Sequence, residues 1–175
     1  MVAQIESHLS PPKLARKLPR GIVQVFTTPD RCFPTDVMVN AWRAAGQGTA
    51  VLIVQFLQGG IGQGVAHPRR LLQRLDWVRA DLHRPIDVSN PALTAAEKEN
   101  ILSLWRFTQG CLQGYPYQML VLDEVCALVE LGLLGEGELI DSVADRADNL
   151  DVVITGVNVP AGLLAIADQV THRRI

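Results

Sequence analysis

No lysine lies between Lys17 and Lys98. A phosphate loop near the start of the domain would therefore lack its lysine. Charged residues make up only 19% of the chain and aromatic residues 5%, and the formal net charge is −2. No dense basic block occurs, so the electrostatic footprint of a nucleic-acid binder is missing, and no nucleic-acid partner is expected. Cys32, Cys111 and Cys126 show no CxxC spacing. An odd, scattered set argues against a disulfide framework and a zinc site, and makes the reducing cytoplasm the expected location. No apolar run approaches the roughly 20 residues of a membrane span. Residues 1–20 lack the apolar centre of a signal peptide, so no membrane partner is expected.

What is present is a globular composition: 175 residues, 48% of them apolar, enough for one domain with a real core. Residues 1–20 read as a polar arm interrupted by Pro11 and Pro12, and residues 21–175 as a single α/β domain. Strand and helix alternate. Gly21–Phe26, Ala50–Leu57, Tyr117–Leu122 and Asp151–Thr155 are nearly continuous apolar runs, as for strands covered on both faces. Trp77–Leu82 reads as a further strand, and Val170 starts a short last one. Helices are expected over Pro34–Ala45, Thr94–Gln113, Leu139–Ala147 and Pro160–Ala167, with a short one after Pro68. Thr94 and Glu97 form the pattern of a capping box. Trp42, Trp77 and Trp105 lie within patterned segments and read as core residues.

Parallel strands joined by helices make an open, doubly wound sheet. Ligands bind such sheets at the carboxyl ends of the strands. That edge holds Thr27–Thr35, Gln55–Gly64, Asp123 with Glu124, and Thr155–Asn158. Thr28, Arg31, Thr35, Gln55 and Thr155 are the candidate cofactor-binding residues by position, and Asp123 and Glu124 the candidate metal ligands. Each has a plainer reading beside it. The two carboxylates fit structural retention as well as a magnesium site. Arg31 reads as a solvated loop arginine, Thr35 as a first-turn helix hydroxyl, and the Gly59–Gly64 loop as a surface connection.

Gly21–Phe26, Arg43–Gly46, Val51–Leu57, Val121–Glu124 and Val153–Gly156 occur in the order and at the spacing of the ATP:corrinoid adenosyltransferase family. Over residues 21–172 the chain resembles that family. The resemblance implies a three-layer RecA-like P-loop fold with a mostly parallel sheet, and a homodimer. It also implies transfer of the adenosyl group of ATP to a reduced corrinoid with magnesium or manganese. ATP, magnesium and a corrinoid are thus expected ligands only if that ancestral activity persists.

The departures from the family pattern fall on its working residues. Its phosphate loop resembles T-G-x-G-K-G-K-T-T. Here Thr28, Asp30 and Cys32 stand at the glycines, Phe33 at the phosphate-gripping lysine and Pro34 at the first threonine. Arg31 and Thr35 keep the expected character. Gln58 and Val157 replace a further lysine and arginine. A phosphate loop works because successive N–H groups point inward at a helix N-terminus. Side chains at Thr28, Asp30 and Cys32 disfavour the positive φ angles that glycine allows, and Pro34 removes a donor. Asp36 places a negative charge where the helix dipole would favour an anion. With each charged hydrogen bond worth about 1.5–3 kcal/mol, the expected outcome is a divergent family member without ATP-dependent catalysis, acting in binding or regulation linked to cobalamin metabolism. The alternative is an active adenosyltransferase with a rebuilt nucleotide grip. A third is a site for another small anion, using Arg31 and the loop amides.

Overall fold

Apolar runs too continuous for a half-exposed sheet become buried parallel strands. The computed structural model describes residues 20–59, 64–114 and 116–173. The expected arm, apart from Arg20, lies outside these, as does most of the Gly59–Gly64 loop. Seven strands form one sheet: β1 (Val23–Thr27), β2 (Val51–Gln55), β3 (Arg69–Leu72), β4 (Leu75–Arg79), β5 (Met119–Asp123), β6 (Asp151–Gly156) and β7 (Gln169–His172). Their order is β3-β4-β2-β5-β6-β1-β7, parallel throughout except for the β3–β4 pair. Between them run α1 (Thr35–Gly46), α2 (Ala95–Leu112), α3 (Ala127–Glu130), α4 (Glu136–Ala144) and α5 (Ala161–Ile166).

The layers follow from alternation along the strands. Val51, Ile53, Leu75, Val121 and Val153 point to one face and pack against Val37, Met38, Ala41 and Ala45 of α1. Leu52, Val54, Leu120, Leu122, Val152 and Ile154 point to the other, into a larger core with α2, α3, α4 and α5. All five residues of β2 are fully covered. This is the three-layer α/β arrangement, consistent with a RecA-like fold. Among the described residues no helix is long and apolar enough to cross a membrane.

Local signals set the boundaries. Thr94 accepts from the Glu97 N–H while the Glu97 carboxylate accepts from the Thr94 N–H, closing the expected capping box at the start of α2. Gly21 is required by close approach, since a Cβ there would sit 2.3 Å from the Leu150 carbonyl. The buried Arg146 donates to the carbonyls of Gly21, Val143 and Leu150, joining the start of β1 to the end of α4.

Four expectations about the elements need correction. The helix expected at Leu139–Ala147 starts and ends three residues earlier, at Glu136–Ala144. The segment after Pro68 is not a helix but β3, an edge strand held in register by the cross-strand pair of Arg70 and Asp76. The strand expected at Trp77–Leu82 starts and ends earlier, at Leu75–Arg79. Trp42 is not a core residue: it is 49% exposed. Valine, methionine and alanine already fill the inward stripe of α1, and Trp42 follows Ala41 a further 100° or so around the helix. Trp105, by contrast, is buried, and its indole N–H donates to Glu138. The short helix α3 carries no periodic signal long enough to read in the sequence.

Candidate functional site

Parallel pairing brings residues from distant parts of the chain into one row across the carboxyl edge. Arg79 of β4 lies opposite Gln55 of β2, Gln55 opposite Asp123 of β5, and Asp123 opposite Thr155 of β6. Their side chains share a face and form a continuous hydrogen-bonded chain. The Thr155 hydroxyl donates to Asp123 Oδ1 at 2.6 Å, and the Gln55 amide donates to Asp123 Oδ2 at 2.7 Å. Gln55 Oε1 in turn accepts from the Trp77 indole at 3.0 Å and from Arg79 Nε at 2.9 Å. Two donors on its oxygen fix which way the Gln55 amide points. Arg79 also lies 4.9 Å over the Trp77 ring.

Asp123 is the buried carboxylate of this row. Burial pushes its carboxyl up from 3.8 to about 6, opposed by the hydrogen bonds from Thr155 and Gln55. The neighbouring Glu124 charge pushes it the same way as burial, and Arg31 pushes it back.

Arg31 is not a solvated loop residue. Its Nε and Nη2 donate to the two carboxylate oxygens of Glu124, at 2.5 and 2.7 Å, and its Nη1 donates to the Ile86 carbonyl at 2.9 Å. Glu124 follows the strand end with φ of +62°, and its N–H donates to the Thr155 carbonyl. The guanidinium therefore ties the loop after β1 to the end of β5 and to the segment before α2. The Glu124 hydrogen bond, the largest influence, raises its affinity for its proton.

Thr28 lines a small space beside this pair and row without a side-chain hydrogen bond to either, and Thr35 does not line it. The Thr28 hydroxyl donates to the Asp30 carbonyl within its own loop. Thr35 is exposed at the first position of α1, after Pro34, which caps the helix with no side-chain bond. None of residues 28–34 has a positive φ. Between this loop and the strand ends at Asp123, Glu124, Thr155 and Gly156 the open volume is about 10 Å³, room for roughly one water molecule. Phe33 does not fill it; the ring is 50% exposed. It borders an adjoining cleft of about 440 Å³ with Arg31, Glu124, Gln58, Ile86 and Asp87. Among the described residues no three His, Cys, Asp or Glu side chains are grouped to hold a metal ion.

Sequence reasoning selected Gln55, Asp123 and Thr155, which the sheet joins, and Arg31 and Glu124, which pair. It missed Arg79 and Trp77. Placing the fourth strand at its true register would have put Arg79 in the same row as Gln55.

Comparison with known proteins agrees with this architecture. Residues 19–175 match the family described as ATP:corrinoid adenosyltransferase BtuR/CobO/CobP. The corrinoid adenosyltransferase of Escherichia coli K12 is 29% identical over 158 residues, 89% of this chain and 77% of that protein. The corresponding protein of Salmonella typhimurium is 28% identical over 155 residues, again 89% and 77%. An uncharacterized Nostoc protein is 25% identical over 137 residues, 71% of this chain but only 34% of its own length. The chain belongs to the ATP:corrinoid adenosyltransferase family.

Proposed function

We propose that this family member does not bind ATP through the loop at residues 28–34 and acts as a non-catalytic binding or regulatory protein linked to cobalamin metabolism. The observation that carries this reading is the small space, about 10 Å³, behind that loop, next to the Arg31–Glu124 pair. A triphosphate with its metal would have to separate that pair, open the space and find donors in a loop without glycine or lysine. Each oxygen of Asp123 and of Glu124 already accepts a hydrogen bond. Phe33, standing where the family has a cation, is exposed at the border of the neighbouring cleft and supplies no donor to a phosphate.

Titration with ATP and magnesium, followed by calorimetry and thermal unfolding, tests this. The expected result is no magnesium-dependent stabilisation at millimolar ATP. A clear rise in melting temperature that needs both ATP and magnesium overturns the reading. The alternative, an active adenosyltransferase with a rebuilt nucleotide grip, draws its support from the Gln55–Asp123–Thr155 row, intact at the strand ends. Formation of adenosylcobalamin from ATP and cob(I)alamin by the purified chain would establish it.

The proposed assembly is a homodimer, the state that family membership suggests. Multi-angle light scattering at tens of micromolar is expected to give twice the mass of 19.1 kDa; a monomer mass refutes it.

A further inference from the structure

The loop after β1 has a second flank, toward β7. There, between the ends of β1 and β7, lies a cleft of about 720 Å³, within the roughly 300–1,000 Å³ of small-molecule sites. Pro29 and Leu164 supply apolar wall, and Leu164 is itself packed against the main core, so that part of the wall is firm. Thr28, Asn158, His172 and Arg173 supply the polar groups. Thr28 uses its hydroxyl proton on the Asp30 carbonyl, which leaves its oxygen free to accept. Asn158 is held at φ of +48°, a conformation that asparagine tolerates better than most side chains.

The charge arrangement narrows the ligand. Arg173 Nη1 lies 3.3 Å from Asp36 Oδ1, and both side chains are partly exposed, at 29% and 48%. An ion pair so open to water contributes little. A ligand carboxylate can replace Asp36 on the guanidinium like for like, without burying an uncompensated charge. The Arg173 backbone is fixed meanwhile by its N–H, which donates to the Thr27 carbonyl.

We propose that this cleft binds a small monoanion with an apolar ring body, of the aromatic monocarboxylate class, its ring against Pro29 and Leu164 and its carboxylate at Arg173 and His172. Thr28 and Pro29 belong to the family's phosphate-loop position, and Thr28 and Arg173 also line the small space beside Glu124, so the proposal rests on the reading that this loop does not grip ATP.

The test uses the full chain, 1-naphthoate as probe, its uncharged counterpart 1-naphthalenemethanol, and amide proton–nitrogen correlation spectra. Naphthoate is expected to give saturable shifts at Thr28, Asn158, Leu164 and His172, with Kd below about 1 mM. The alcohol should bind more weakly. Arg173→Gln should weaken naphthoate by about tenfold. Asp36→Asn, which releases the guanidinium, should tighten it by about threefold. The proposal is overturned by the absence of saturable shifts, by shifts centred on Ile86 and Asp87, by equal affinity for the alcohol, or by Arg173→Gln and Asp36→Asn both leaving Kd unchanged.

Discussion

An Arg31→Met variant is expected to lose about 2 kcal/mol of folding stability, and most of that loss should vanish when Glu124→Gln is added. Removing one partner of a buried pair costs about 3–5 kcal/mol because a charge is left without compensation. Here the Arg31 side chain is 30% exposed and that of Glu124 10%, so water relieves part of the penalty and the smaller figure applies. Methionine keeps much of the arginine stem's volume, which separates loss of charge from loss of packing. Glu124→Gln alone keeps one acceptor for the guanidinium and should cost about 1 kcal/mol. The coupling between the two changes should be about 2–3 kcal/mol, measured by urea denaturation of the four proteins in one buffer. Additive effects, with no coupling, would mean that the bidentate pair does not hold the loop. The same cycle bears on ligand binding. If the pair is what closes the space behind residues 28–34, the double variant is the form in which ATP with magnesium has the best chance of entering.

This pair also marks the limit of what the sequence discloses. The buried strands were legible because covered strands must be apolar along their whole length: Val51–Gln55 and Met119–Asp123 lie where the runs put them. Thr94 and Glu97 were legible because a capping box is local. Arg31 and Glu124 are 93 residues apart, and nothing in the composition of either segment reports their contact. Arg31 therefore read as a solvated side chain. Trp42 read as core because its segment is helical and partly apolar; which stripe faces the sheet is decided by its partners on β2, β4, β5 and β6. β3 was missed for a related reason. Arg69–Leu72 has no alternation, and its strand conformation comes from pairing with β4 and from the Arg70–Asp76 contact. The absence of glycine and lysine from residues 27–35 was the easiest part to read, since it needs no tertiary information.

Replacing Asp123 with Asn should stabilise the protein at pH 8 and leave it nearly unchanged at pH 4. Burial raises the Asp123 carboxyl from 3.8 to about 6 in the folded state. Between those values the folded protein holds a proton that the unfolded chain has released. Stability then falls as pH rises, because the slope follows the excess of protons on the unfolded state, which is negative here. The contribution is complete below about pH 4 and lost on passing pH 6. A span of about two units corresponds to about 3 kcal/mol. Asparagine carries no such charge. Its oxygen can accept from Gln55, whose amide cannot turn over without abandoning Trp77 and Arg79. Its NH₂ can donate to Thr155, whose hydroxyl is free to rotate. An imperfect fit reduces the gain at pH 8 to about 1–2 kcal/mol. Urea denaturation of both proteins from pH 4 to pH 8 should show the two curves diverging between pH 4 and 6, with wild type the lower. Magnesium separates the two readings of this carboxylate. A metal on ionised Asp123 would stabilise wild type at pH 8, leave Asp123→Asn unmoved and close the gap between them. In a row held only by Thr155 and Gln55, millimolar magnesium leaves the gap as it is.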